Sequence, residues 1–201
     1  MKRVCHRSKG SGNCDTIHLP LFRVYQVPQA CLQLVPVILS LSPPEFRVLK
    51  TPLNKFHNDH KGHMVDFAGW DMPMYYTGLT QEHHQVRTSA GLFDVSHMGR
   101  VKFSGRHARK LLERCCSRRI SDMEIGQCRY SLVCNEQGGV KDDVIVYRVD
   151  DDEFLVVVNA SNREKLLKHF ESVRVGGEFN CKMEDRTMET AMVALQGPKV
   201  M

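Results

Sequence analysis

The sequence has 201 residues, enough for one full domain or two small ones, and it is 42% hydrophobic and 25% charged, as ordinary globular proteins are. Its formal net charge of +5 is carried by residues 1–50, which have seven lysines and arginines against one aspartate and one glutamate. The remaining residues are neutral overall, so we expect no nucleic-acid-binding surface on them.

The cysteines and the apolar segments exclude other classes of protein. None of the eight cysteines lies in a Cys-x-x-Cys pair, so a zinc ribbon is not indicated, and we expect reduced thiols in a reducing compartment. The longest apolar stretch, residues 31–42, is interrupted by Pro36 and is shorter than the roughly 20 residues that a membrane-spanning helix needs. We therefore expect no membrane segment.

Residues 1–50 differ in composition from the rest of the chain, and prolines at Pro43-Pro44 and Pro52 mark their end. A basic leader that is poor in acidic residues is compatible with an organelle transit peptide. The abrupt change in composition favours a disordered or spurious leader instead, with the globular part beginning near Thr51.

Between residues 51 and 116 the patterns predict two strands and two helices. Residues 64–68 are predicted to be extended, and residues 81–90 to form a helix with Gly91 as its C-cap. A strand over residues 100–103 is followed by a helix over residues 106–116. The apolar positions of that helix fall on one face at spacings of three and four: Ala108, Leu111, Leu112 and Cys115.

Beyond residue 127 the patterns predict five strands and one helix. The strands are residues 128–134, 142–148, 154–159, 179–183 and 191–195, and the helix is residues 161–172. Gln137-Gly138-Gly139 predicts a tight turn, and Ser161 with Glu164 predicts a capping box. The order from residue 100 onward, β-α-β-β-β-α-β-β, indicates an α+β fold: antiparallel sheets with helices on one face, containing a ferredoxin-like element.

Two consecutive carboxylates open the strand that follows the glycine turn. Because side chains alternate between the faces of a strand, Asp142 and Asp143 point in opposite directions and cannot form a paired acid–base site. Asp143 shares its face with Ile145 and Tyr147, and we expect one aspartate to face inward beside apolar and aromatic neighbours. Such a carboxylate needs a donor or a cation, as in a ligand site, although an aspartate capping its own turn fits the same spacing.

Asn159 and the histidines leave alternatives open. Asn159 ends an apolar strand, where its amide can bind a ligand or cap the next helix. His57, His60 and His63 lie three residues apart, a spacing that can bind zinc on a helix. Gly62 and the lack of an apolar face weaken a helix there, so we expect solvated histidines and no metal site.

Several short motifs follow one another in an order that is specific as a set. They are Thr51–Leu53, His63–Trp70, Met72–Tyr76, Glu82–Arg87, Gly91–Gly99, Tyr130-Ser131, Gly138–Tyr147, Val157–Ala160 and Leu195–Pro198. Together they resemble the amino-terminal, folate-binding part of aminomethyltransferase, the T-protein of the glycine cleavage system, over roughly residues 51–201.

The resemblance implies a reaction, an acceptor and a partner. The family takes an aminomethyl group from the lipoyl arm of H-protein, releases ammonia and passes the one-carbon unit to tetrahydrofolate. By motif, Asp143 is the essential acid beside the folate amines, where a carboxylate can orient the pterin and support cationic character as ammonia leaves. The further folate-binding residues that the resemblance implies are Met98, Tyr130, Tyr147 and Asn159.

Family members continue well beyond Gln196-Gly197-Pro198, so the resemblance predicts that residues 51–201 are an incomplete folate-binding region. We expect an aminomethyltransferase, either active or an inactive fragment; the alternative is a non-catalytic folate-binding module of the same superfamily. We expect the protein in the cytoplasm, with the mitochondrial matrix as the alternative compartment.

Overall fold

The computed structural model of the chain describes residues 48–200, so the predicted leader lies outside the described residues except for its last three positions. The described strands are β1 (Leu49–Lys50), β2 (His63–Phe67), β3 (Trp70–Tyr75), β4 (Gly91–Asp94), β5 (Gly99–Ser104), β6 (Cys128–Cys134), β7 (Val140–Asp150), β8 (Glu153–Val158), β9 (Lys182–Asp185) and β10 (Val193–Gln196). The described helices are α1 (Asn54–Asp59), α2 (Leu79–Thr88), α3 (Ala108–Cys115) and α4 (Arg163–Gly176), and a 3₁₀ turn spans Ala160–Asn162. None of the helices described within residues 48–200 combines the length and the hydrophobicity that a membrane-spanning helix requires.

A five-stranded antiparallel sheet organises the larger part of the described chain. Its strand order is β6-β7-β8-β5-β9, and each neighbouring pair is antiparallel. Strand β8 lies in the middle of the sheet, which explains why its residues Phe154–Val158 are apolar without interruption. The predicted α+β class with antiparallel sheets is confirmed, as is the order of elements from β5 to β9.

Helices α3 and α4 lie against one face of this sheet and enclose the hydrophobic core. The predicted apolar face of α3 is confirmed, because all four of its members are buried: Ala108, Leu111, Leu112 and Cys115. The other core residues come mainly from the sheet and from α4, and include Val101, Phe103, Val144, Val146, Phe154, Val156, Val158, Leu166 and Phe170. The rings of Phe103 and Phe170 meet edge to face with their centroids 5.3 Å apart, which joins the sheet to α4.

Two smaller sheets contain strands that the sequence patterns do not predict. One has the order β1-β3-β2, and the other pairs β10 with β4. In strand β3 the apolar residues Trp70, Met72 and Met74 alternate with other residues, but Pro73 has no N–H to donate and argues against a strand at that position. Leu49 and Lys50, which fall within the predicted leader, form β1 and pair with Trp70 and Asp71 of β3. The last predicted strand, β10, joins β4 and not the five-stranded sheet.

Two predicted helix boundaries are wrong, and one predicted turn is confirmed. Gly91 is the first residue of β4 and not a C-cap, because α2 already ends at Thr88. The capping box predicted at Ser161 is absent, because a 3₁₀ turn occupies that position and α4 begins at Arg163 without a side-chain cap. The glycine turn before β7 forms as predicted, with Gly138 at a φ of 79° that glycine adopts without strain.

Truncating Leu111 tests the placement of the core. Leu111 is fully buried, so Leu111→Ala should leave a cavity and lower the free energy of unfolding by about 2–5 kcal/mol. Urea unfolding followed by circular dichroism measures this loss. Val175→Ala, in α4 and 61% exposed, is the matched control and should change stability by no more than about 0.5 kcal/mol. Equal losses in the two variants would contradict this core.

Candidate functional site

The predicted site residues converge at one side of the five-stranded sheet. We call the face opposite α3 and α4 the open face. The strand register pairs Leu132 of β6 with Asp143, and Cys128 with Tyr147, so Tyr130, Asp143 and Tyr147 all lie on the open face. Val144 pairs with Val158, which brings Asn159, the next residue, beside Asp143.

Asp143 is exposed and is held between two polar side chains. The Tyr130 hydroxyl donates a hydrogen bond of 2.9 Å to Asp143 Oδ2, and Asn159 Nδ2 donates one of 2.8 Å to Oδ1. The hydrogen bond to Asp143 raises the pKa of Tyr130 above its ordinary value, as expected for a phenol that donates to a carboxylate. The carboxylate thus has a defined position, while its exposed side remains accessible to a ligand.

The inward-facing aspartate of the pair is Asp142. Its residue is 4% exposed, and it shares the buried face of β7 with Val144 and Val146, so the expectation of an aromatic neighbour on that strand face is wrong. Three N–H groups satisfy the carboxylate: the backbone N–H of Asn159 at 3.1 Å, Asn159 Nδ2 at 2.9 Å and Asn162 Nδ2 at 2.6 Å. Sequence reasoning did not single out Asn162 as a partner of Asp142, because the 3₁₀ turn after β8 is what brings its amide to this carboxylate.

Met98 reaches the same end of the sheet through the loop before β5. It directly precedes Gly99, which pairs with Val158, so in register Met98 lies across from Asn159. Arg100 is 3% exposed and donates hydrogen bonds to the carbonyl oxygens of Met98, at 2.6 Å, and Ser96, at 2.9 Å. This buried guanidinium therefore fixes the backbone that carries Met98.

A second polar cluster is centred on His57, which was expected to be solvated. That expectation is wrong, since His57 is 4% exposed. Its Nε2 lies 2.8 Å from Asp94 Oδ2, and its Nδ1 lies 2.6 Å from the Tyr76 hydroxyl. Thr51 donates a further hydrogen bond of 2.7 Å to the same Asp94 oxygen, and the Ser96 N–H donates one of 2.8 Å to Asp94 Oδ1. The cluster joins α1, β3 and β4.

A cavity of about 580 Å³ lies beside this second cluster. It is formed by the end of β3, helix α2 and β4, and its lining includes Tyr76, Leu79, Glu82, Val86, Phe93 and Asp94. None of the five predicted site residues lines it. The cavity and the Asp143 site are therefore distinct features of the described chain.

The other histidines of the spaced group have separate environments. His60 Nδ1 lies 2.9 Å from the Phe56 carbonyl oxygen, and the ring of His63 stacks on Tyr75 with centroids 4.8 Å apart. Helix α1 ends at Asp59, so the three histidines do not share one helical face. Over residues 48–200 no group of three or more His, Cys, Asp or Glu is arranged to hold a metal ion.

The chain is similar to a known protein family. A family model described as the GCVT N-terminal domain matches residues 53–201, well over half of the chain. The chain belongs to this family. The resemblance to the amino-terminal part of aminomethyltransferases is thereby confirmed.

Individual relatives of this GCVT-family chain are aminomethyltransferases. The one from Rubrobacter xylanophilus is 50% identical over 150 residues, which are 75% of this chain and 40% of that protein. One from Thermus thermophilus is 42% identical over 150 residues, which are 75% of this chain and 42% of that protein. The chain thus spans less than half the length of these relatives.

A solved structure is similar in fold to this member of the GCVT family. The crystal structure of glycine cleavage system aminomethyltransferase T from Bartonella henselae matches with a TM-score of 0.70 and 35% sequence identity. The match covers 76% of this chain and 41% of that one. The α+β architecture described above is therefore that of the amino-terminal part of this transferase.

Acidification tests the second polar cluster. Burial raises the pKa of Asp94, but hydrogen bonds from His57, Ser96 and Thr51 outweigh this effect and hold the pKa below its usual range. A depressed folded-state pKa adds stability above the unfolded-state pKa of about 4, and that stability is lost as the pH falls through the folded-state value. Asp94→Asn should therefore be less stable than wild type at pH 7, and the difference should shrink on acidification towards pH 3.

Urea unfolding between pH 7 and pH 3 measures this difference. Asp152→Asn, at an exposed aspartate in the turn between β7 and β8, is the control and should follow the wild-type curve. If Asp94→Asn keeps the wild-type dependence on pH, the cluster does not stabilise the fold through the ionised Asp94.

Proposed function

We propose that this GCVT-family chain binds tetrahydrofolate at the open face of its five-stranded sheet and carries part of an aminomethyltransferase site of the glycine cleavage system. In this reaction the aminomethyl group on the lipoyl arm of H-protein loses ammonia, and its one-carbon unit passes to tetrahydrofolate. Family membership supports the class of reaction. Because the chain spans less than half of its relatives, substrate, partner and activity are proposals for this protein.

The observation that carries the proposal is the exposed carboxylate of Asp143 between Tyr130 and Asn159. The two donors fix the carboxylate with hydrogen bonds of 2.9 and 2.8 Å, yet the residue remains exposed. An acceptor fixed in this way can receive hydrogen bonds from the amine N–H groups of a reduced pterin and can stabilise positive charge as ammonia leaves.

The surroundings of Asp143 fit a flat, partly apolar ligand. Tyr130, which contacts the carboxylate, is 56% exposed, and Tyr147, four residues along the same face of β7, is 36% exposed. Ile145 lies between Asp143 and Tyr147 in the same row of side chains. Aromatic and apolar surface beside one fixed polar group is the usual composition of a site for a small organic molecule.

The proposal includes a partner and a compartment. The partner is lipoylated H-protein, a proposal supported by the structural similarity of this chain to glycine cleavage system aminomethyltransferase T. The compartment is the cytoplasm, in keeping with the bacterial sources of the relatives, and the mitochondrial matrix is the alternative. No metal enters the proposed chemistry, since the amine, the carboxylate and the phenol supply the donors and acceptors that it needs.

Replacing Asp143 tests the proposed function. The full chain is mixed with aminomethylated H-protein and tetrahydrofolate, and ammonia release is measured over time. Asp143→Asn keeps the shape of the side chain but removes its charge, so the rate should fall by about 10²–10⁴-fold. Asp150→Asn, at an exposed aspartate at the far end of β7, is the matched control and should keep the wild-type rate.

Calorimetry with tetrahydrofolate separates binding from transfer. Equal, non-zero rates for wild type and Asp143→Asn would remove Asp143 from the mechanism. If wild type binds tetrahydrofolate but releases no ammonia, the chain is a non-catalytic folate-binding module and not a transferase. No binding at millimolar ligand would overturn both forms of the proposal.

A further inference from the structure

We propose that Asp142 is a positioning residue, which fixes the side-chain amide of Asn159 so that its N–H group, and not its oxygen, faces Asp143. The inference deepens the proposed function and rests on it only where folate is concerned. It assigns a role to the buried aspartate of the Asp142-Asp143 pair that its position in the core alone does not explain.

The geometry places the Asn159 amide between two carboxylates. Asn159 Nδ2 lies 2.9 Å from Asp142 Oδ1 and 2.8 Å from Asp143 Oδ1. It also donates to the backbone oxygen of Asp143 at 3.2 Å. One NH₂ group therefore donates hydrogen bonds to both aspartates. A change in the Asp142 side chain can thus alter the hydrogen bond that Asn159 makes to Asp143.

Asp142 determines which way this amide points. An ionised carboxylate accepts hydrogen bonds and cannot donate them, so only the Nδ2 end of Asn159 can face it. The other oxygen of Asp142 is already taken by the backbone N–H of Asn159, at 3.1 Å, and this donor cannot rotate. The amide of Asn159 is thus held in a single orientation, with its remaining N–H aimed at Asp143.

An amide in place of the Asp142 carboxylate would remove this constraint. Its oxygen would be required by the fixed backbone N–H of Asn159, which would turn its NH₂ group towards the Asn159 side chain. NH₂ groups cannot hydrogen-bond to one another, so the Asn159 amide, together with the Asn162 amide that donates to the same oxygen, would have to rotate by half a turn. Its oxygen would then face the Asp143 carboxylate, where two acceptors repel, and the support of Asp143 would be lost.

Asn162 provides a matched control for the same carboxylate. It donates a hydrogen bond of 2.6 Å to Asp142 Oδ1 but has no hydrogen bond to Asp143. Asn162→Ala therefore removes one hydrogen bond to Asp142, but the Asp142 carboxylate remains a group that only accepts hydrogen bonds. A purely structural role for Asp142 predicts similar effects for D142N and N162A, whereas the positioning role predicts an effect on Asn159 for D142N alone.

Nuclear magnetic resonance of the full chain tests the orientation directly. In wild type, Asn159 Nδ2 should show scalar couplings across its hydrogen bonds to the carboxylate carbons of both Asp142 and Asp143. Its NH₂ hydrogens should exchange with water at least tenfold more slowly than those of Asn180, which is exposed. N162A should retain both properties within twofold, and D142N should lose the coupling to Asp143 and the protection.

Calorimetry with tetrahydrofolate links this orientation to the proposed function. D142N should weaken binding at least tenfold, while N162A should stay within twofold of wild type. Equal losses for D142N and N162A, or an Asn159 amide that remains protected in D142N, would overturn the inference. If D142N does not fold, the wild-type spectrum alone tests the inference. The absence of a scalar coupling between Asn159 Nδ2 and the Asp142 carboxylate carbon would then overturn it. If wild type binds no tetrahydrofolate, the proposed function fails, while the resonance measurements still decide the role of Asp142.

Discussion

The Asp142 carboxylate imposes the constraint on which the site depends. A charged group in a core costs several kcal/mol unless donors replace the water that it loses. No cation lies among its described hydrogen-bond partners, and three N–H groups from Asn159 and Asn162 satisfy it. These contacts tie the start of β7 to the end of β8 and to the 3₁₀ turn before α4. Because side chains alternate along β7, an inward Asp142 also forces Asp143 outward.

The two parts of the described chain are stabilised in different ways. The five-stranded sheet, α3 and α4 enclose a core of aliphatic and aromatic side chains. Helix α1, by contrast, buries only Asn54 and His57, and both make polar contacts with neighbouring strands. Its position therefore depends on directional hydrogen bonds, which fix the relative placement of α1, β3 and β4 but make this part sensitive to the ionisation of Asp94.

The sequence patterns predict the elements whose causes are local. The apolar face of α3, the glycine turn at Gly138 and the central strand β8 all follow from spacing within a few residues. Strands β1 and β4 escape prediction because they are short and form through pairing with distant residues, and the pairing of the predicted strand β10 with β4 is likewise not local. His57 illustrates the same limit for a side chain, since its burial requires Asp94 and Tyr76 from other elements.

The site itself is predictable only in part. Strand alternation separates Asp142 from Asp143, but nothing local says which of the two is buried, because that depends on where α3 and α4 pack. The association of Met98, Tyr130, Tyr147 and Asn159 with Asp143 follows from the family resemblance, and their placement relative to Asp143 requires the register of four strands. Asn162 could be found only once the 3₁₀ turn was known.

Because side chains alternate along β7, substitutions at the neighbouring positions Asp142 and Asp143 should affect stability and activity differently. Asp143 is exposed, so its substitution should change the free energy of unfolding by no more than about 0.5 kcal/mol, as is usual at surface positions. A loss of activity there can be interpreted as lost charge stabilisation. Asp142 lies one residue away but in the core, where removing its acceptors leaves buried N–H groups unsatisfied at about 1–3 kcal/mol each. Substitutions of Asp142 therefore affect folding and ligand contacts together. Asn162 donates to the same carboxylate but does not contact Asp143, so its substitution distinguishes the effect on folding from the effect on ligand contacts.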